Sequence, residues 1–399
     1  MRLLRAATVL LGMTAAAAAL PPAPTAHAAT VIVVAVNGDD AGAGTAADPL
    51  ATVQEAVDRA APGDTITVRG GTYVLKDNIT IGKSGTASAP ITLTSHNGER
   101  VIIDGERLPA SHTPVGGGVP RAERGAIHLE KASHWRISGL EIVRGPYGVY
   151  ADSCSDNVFD RLVTRDNYET GFQLQGASSR NTIRNLDSYG NRDPRKNGES
   201  ADGLGIKEGS GTGNRVVGAR LWNNVDDGFD AWEFTSPIRL ENTVAHGNGF
   251  NRWNFPDFAG DGNGFKMGGG GDEDPPAAHT LHNSASFGNA ADGVTDNGNP
   301  GALKITRTTA FRNGATGFDI RTADATVTGN LSVEDRTAAS LGGAVSASGN
   351  SWQLGGTWNA ASVRSTDPSV ITGPRASDGS IRPSGFLVPA NGAAVGARF

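Results

Sequence analysis

Asp202-Gly203 and Asn224-Val225-Asp226-Asp227-Gly228-Phe229-Asp230 put four carboxylates into two short segments, each built around a glycine followed by an apolar residue. If the backbone lays these segments side by side, the four acids repel one another unless a cation sits among them. An all-oxygen donor set with no neighbouring Cys or His suits Ca²⁺ better than zinc. Lys266, in Gly264-Phe265-Lys266-Met267, holds the place that Asp230 holds in Gly228-Phe229-Asp230-Ala231. An Asp before Gly is common in turns, and a lone lysine is ordinarily a solvated charge. It is the set, rather than any one residue, that points to chemistry.

A repeat must position that set. Gly followed by an apolar residue recurs at Gly148, Gly171, Gly203, Gly228, Gly264, Gly293 and Gly317, and units of alternating apolar and polar residues precede most of these and end in Asn. Those units read as 157–167, 181–191, 214–224, 238–248, 279–289 and 303–313. Short period-two segments separated by Asn, Gly and Asp turns, returning every ~23 to 25 residues, predict a stacked solenoid: an all-β, right-handed parallel β-helix. Val149, Phe172, Leu204, Phe229, Phe265, Val294 and Phe318 would form an inward column. Tyr150, Gln173, Gly205, Asp230, Lys266, Thr295 and Asp319 would form an outward surface ladder with rungs ~4.8 Å apart. The two long insertions found in the repeats, 192–201 and 249–262, leave at one corner and lead into Asp202 and Lys266, and loops gathered on a rigid stack usually build a site.

Thr52-Val53-Gln54-Glu55 opens a capping-box segment that ends at Ala61-Pro62-Gly63, a short helix expected to close the N-terminal end of the solenoid. The expected organisation is an export signal at 1–28, the β-helix at 29–350 and an irregular segment at 351–399 packing on it. The signal is read from Arg2 and Arg5, an apolar stretch over 6–20 and the small-residue site Ala26-His27-Ala28. No later stretch is long and apolar enough to span a bilayer, so a secreted chain free of membranes after cleavage is expected. With one cysteine, Cys154, the fold does without disulfides of its own. Lys and Arg total 35 against 41 Asp and Glu, a net charge of −6, which argues against a nucleic-acid partner. A monomer is expected.

The runs Ser200-Ala201-Asp202-Gly203, Asn223 through Asp230 and Gly262-Asn263-Gly264-Phe265-Lys266-Met267-Gly268 resemble family-nine polysaccharide lyases, secreted β-helix enzymes of the pectate-lyase type. The resemblance extends in weaker form over 126–289, and Asp378-Gly379-Ser380 through Pro389-Ala390 is similar to that family's C-terminal tail. It implies that Asp202, Asp226, Asp227 and Asp230 are Ca²⁺ ligands, that Lys266 is the catalytic base, and that the substrate is an acidic polysaccharide, with polygalacturonate the first choice. The reaction would be β-elimination: loss of the C5 proton next to a uronate carboxylate, then of the C4 oxygen. Activity rising into alkaline pH and abolished by chelation follows from that chemistry.

Lys207, just beyond Gly205-Ile206, could contact substrate carboxylates. Tyr189, Trp222, Trp232 and Trp253 could stack on sugars or pack within the repeats. His279 and His282 lack a third ligand and read as structural. Two rival readings stand beside the lyase. One is a hydrolase on the same fold using Asp226 and Asp227 as acid and base, with His246-Gly247-Asn248 as a partial match to its histidine motif. The other is a non-catalytic Ca²⁺-stabilised carbohydrate-binding solenoid.

Overall fold

The computed structural model describes residues 28–270 and 276–399. The export signal expected over 1–28 lies outside the described residues except for Ala28. Three parallel sheets, of twelve, ten and ten strands, wrap around one apolar core, and each coil gives one strand to each sheet in turn. Asn214–Val217, Arg220–Trp222 and Phe229–Asp230 make one such coil. The next is Ile238–Glu241, Val244–His246 and Phe265–Lys266. The three are called the first, second and third sheets below.

Period-two alternation sets which side chains enter the core, and the observed register agrees with the repeat alignment at every rung. Val149, Phe172, Leu204, Phe229, Phe265, Val294 and Phe318 are paired in sequence down the third sheet, and all are buried. Facing them, the first sheet contributes Ile183, Val216, Leu240, Leu281, Ile305 and Val327 in its own column. The helix Val53–Arg59 closes the N-terminal end. Thr52 Oγ1 accepts from Glu55 N at 3.2 Å, and Val53, Ala56 and Val57 are buried against the first coils.

The Asn that ends each repeat unit does more than turn the chain. Asn167, Asn191, Asn224, Asn248, Asn289 and Asn313 form a buried ladder in which each Nδ2 donates to the next rung's Oδ1 at 2.8 to 3.0 Å, and Asp335 accepts the last bond. The same Oδ1 atoms accept the backbone N–H of the preceding rung, as Asn248 does for Asn224 at 3.0 Å. One amide thus satisfies two donors that burial would otherwise orphan. Asn248→Ala is expected to cost about 1–3 kcal/mol for each group left without a partner, read as a lower denaturation midpoint.

No strand follows Ser346–Ser348. The remaining chain runs back along the outer face of the second sheet. Arg375 and Arg220 both pair with Asp187 at 2.6 Å, and Arg220 Nη1 donates to the carbonyl of Gly373. Phe386, Leu387 and Val395 join Val244, Phe311 and Leu331 in a second apolar cluster.

Candidate active site

The outward ladder of the third sheet is the floor of a cleft. Tyr150, Gln173, Gly205, Asp230, Lys266, Thr295 and Asp319 occupy successive rungs. They are buried rather than exposed, because loops wall them in. The surface ladder read from the sequence is corrected on this point. Insertions 192–201 and 249–262 do leave the same corner, but they are not the only ones: a third, 105–126, joins the second-sheet strand Val101–Asp104 to the third-sheet strand Ile127–Glu130. The three interlock. Gly116 N donates to Arg195 O at 2.8 Å, and Ala259 N to Asn197 O at 3.1 Å. They enclose a cleft of about 950 Å³ whose lining includes Asp226, Asp230, Lys207, Lys266 and Trp232.

Asp226 lines it, and Asp226 and the fully buried Asp202 and Asp227 each bring one carboxylate oxygen within 4.8 Å of the others. Asp227 Oδ1 accepts from the backbone and side-chain nitrogens of Asn263 at 2.6 and 3.0 Å, while its Oδ2 has no hydrogen bond. Asp226 Oδ1 accepts from Asp261 N at 2.6 Å. Asp230, expected as a fourth ligand, stands beside the triad rather than in it. Its oxygens accept from Lys207 Nζ at 3.0 Å and from Trp232 N at 2.9 Å. Lys207 also donates to Asp202 Oδ2 at 2.6 Å, so it ties two carboxylates together instead of standing free for a ligand.

Lys266 Nζ lies 3.2 Å from the unbonded Oδ2 of Asp227 and donates to Asp261 Oδ2 at 2.8 Å. The sequence reading missed Asp261; the only signal was its place at the end of the 249–262 insertion, just before Lys266.

Burial, together with the neighbouring acids, pushes Asp202 up to about 7 and Asp227 to about 6, against the pull of Lys207 and Lys266. Burial and the charges of Asp227 and Asp202 carry Asp226 well above the carboxylate range. Burial also opposes the charge on Asp230, but Lys207 and Lys266 outweigh it and hold that group low. Both lysines are held protonated, since the carboxylates around them outweigh the desolvation that favours the neutral amine. Three buried acids that cannot all ionise unaided, one with an oxygen lacking any hydrogen bond, fit a hard divalent cation.

The other candidates separate cleanly. Trp232 lines the cleft. Tyr189 and Trp222 stack at 4.2 Å on the outer face of the second sheet, in a row continued by His246 and Phe287. Trp253 stacks on Phe255 within its insertion. His246 is therefore not beside Asp226 and Asp227 but in that row, where burial takes it down to about 4. His279 Nδ1 accepts from Ile238 N at 3.2 Å, and His282 Nδ1 meets Thr306 Oγ1 at 2.8 Å.

The relatives that share this fold place the chain in a class, the polysaccharide lyases built on a parallel β-helix. Residues 32–334 match the family described as "Pel9A-like, right handed beta helix region", and the chain belongs to that family. It is 52% identical to "Pectate lyase PEL9" of Emericella nidulans over 92% of this chain and 94% of the other. It is 32% identical to "Pectate lyase L" of Dickeya dadantii over 91% and 85%. The crystal structure of pectate lyase Pel9A superposes with a TM-score of 0.80 at 32% identity, covering 92% of this chain and 91% of that one. Among the described residues, no helix is long and apolar enough to cross a membrane.

Proposed function

We propose that this enzyme cleaves polygalacturonate by Ca²⁺-dependent β-elimination, with Lys266 as the general base, and that it does so as a secreted monomer. The observation that carries the reading is the juxtaposition of the Asp202, Asp226 and Asp227 triad with Lys266 Nζ on the floor of one cleft. A divalent cation held by the triad would neutralise a substrate carboxylate and offset the acid field that keeps Lys266 protonated.

The chain's own groups do the rest. Lys266, as neutral amine, takes the C5 proton onto Nζ; the electron pair left at C5 forms the C4–C5 double bond, and the C4–O bond breaks with its pair leaving on the departing oxygen, which takes a proton from water, to give an unsaturated sugar. Asp261, the most exposed partner of Lys266, can hold the resulting ammonium. Lys207 fixes Asp202 and Asp230 with respect to each other. The paired-carboxylate hydrolase reading has no support from His246, which lies on another sheet.

The deciding experiment is ultraviolet absorbance of polygalacturonate incubated with the protein and Ca²⁺. A rising signal from unsaturated product supports elimination, and a flat trace alongside new reducing ends would sink it. Cation binding has its own readout. Added Ca²⁺ is expected to raise the thermal midpoint in a concentration-dependent way, by linkage of about 2.7 kcal/mol at a hundredfold excess over Kd. Asp227→Asn is expected to abolish that rise; an unchanged rise would place the cation elsewhere.

A further inference from the structure

Arg124 stands on the 105–126 wall and lines the cleft upstream of the triad. It is held from several sides. Its carbonyl oxygen meets His128 Nδ1 at 2.7 Å, its Nε donates to Val119 O at 3.4 Å, and its Nη1 donates to the Tyr150 hydroxyl at 3.2 Å. The guanidinium lies 5.5 Å from the centroid of the Tyr150 ring, which is fully buried and stacked on His128. Those bonds use two of the five N–H donors of an arginine.

The other cations lining the cleft each have a carboxylate within ion-pair distance. Arg195 has Glu169, Lys196 has Glu199, Lys207 has Asp202 and Asp230, and Lys266 has Asp227 and Asp261. Among the described residues Arg124 has none. A guanidinium fixed in place and half-buried, with no carboxylate in ion-pair distance and Glu208 of the same lining acting on it only from farther off, is preorganised for an anion, and its planar fork matches a carboxylate. Tyr150 is three rungs before Asp230 on the ladder, through Gln173 and Gly205. At ~4.8 Å per rung that is roughly 14 Å, a few sugar rings along an extended chain.

Resting on the function proposed above, we propose that Arg124 is a specificity-determining residue that binds the carboxylate of a uronate a few sugars from the cleaved bond, toward the N-terminal end of the β-helix. It would make the enzyme favour long chains over short ones and a free carboxylate over a blocked one at that position.

The test compares Ca²⁺-dependent binding of polygalacturonate and of digalacturonate by the unsubstituted chain, R124A and R124K. R124A is expected to weaken polymer binding about ten- to a hundredfold and to leave the Ca²⁺-dependent binding of the dimer, too short to reach from the triad, unchanged. In turnover of the polymer KM should rise with kcat intact. R124K should recover only part of the loss, and its thermal midpoint reports whether the Tyr150 packing survives. Equal loss on dimer and polymer, or no loss on either, overturns the assignment of Arg124. If the unsubstituted chain binds neither ligand, the reading of the cleft as a polygalacturonate site fails and this inference fails with it.

Discussion

Replacing Lys266 by methionine is expected to lower the formation of unsaturated product from polygalacturonate by about 10²–10⁴-fold, the usual contribution of a positioned general base. Methionine keeps an unbranched stem at the Lys266 rung of the cleft floor and removes the amine. Loss of a merely structural ion pair would show in the thermal midpoint and largely spare turnover. Loss of a base shows as a collapse of kcat with polymer binding kept, whatever the lost ion pairs with Asp227 and Asp261 do to the midpoint. Removing Lys266 also takes one positive charge from beside Asp227. The Ca²⁺-dependent rise in thermal midpoint should therefore be kept or increased in the variant. Near-normal kcat in Lys266→Met would mean that another group takes the proton.

The second large effect is on stability. Phe229 is fully buried between Leu204 and Phe265 in the inward column. Truncation to alanine should cost about 3–5 kcal/mol, since neighbouring rungs are fixed by their own hydrogen bonds and cannot collapse into the space. Asp230 follows it directly and lines the cleft, and Asp227 lies two residues before it in the buried triad, so the same variant should also bind Ca²⁺ less tightly. Phe229→Leu, which keeps most of the volume, should recover most of the denaturant midpoint. If Phe229→Ala and Phe229→Leu unfold alike, the column is not packed as its register implies.

The column and the ladder were legible because period-two alternation is strict wherever a strand has one face on the core, and the repeated glycine fixed the phase. The triad was legible for the same reason: Asp202 and Asp227 occupy equivalent positions in adjacent coils. Asp230 was not separable from it, because alternation says to which side a carboxylate points and not which donor its oxygens find. Its partner Lys207 is a charge like any other in the sequence. The wall loop 105–126 lies ahead of the first aligned glycine at Gly148 and has no period of its own, so Arg124 and the depth of the cleft were invisible. Asp261 sits in an insertion held by contacts distant in sequence, among them Ala259 N to Asn197 O and its own N to Asp226 Oδ1. The asparagine ladder was in plain view as a spacing, but a turn explains the same residues equally well.

The C-terminal segment changes how such a stack can come apart. In a solenoid each coil rests on its neighbours alone, so fraying can begin at the last coil and travel inward. Here the chain that follows the last coil is anchored near the middle: Arg375 bonds Asp187 and the carbonyl of Leu186, and Arg398 N donates to the side chain of Asn283. Fraying from that end must first strip a strap laid across coils still intact. The end of the stack thereby gains protection from its centre, and resistance to proteases in solution becomes a property of where the tail is tied rather than of how well the last coil is packed.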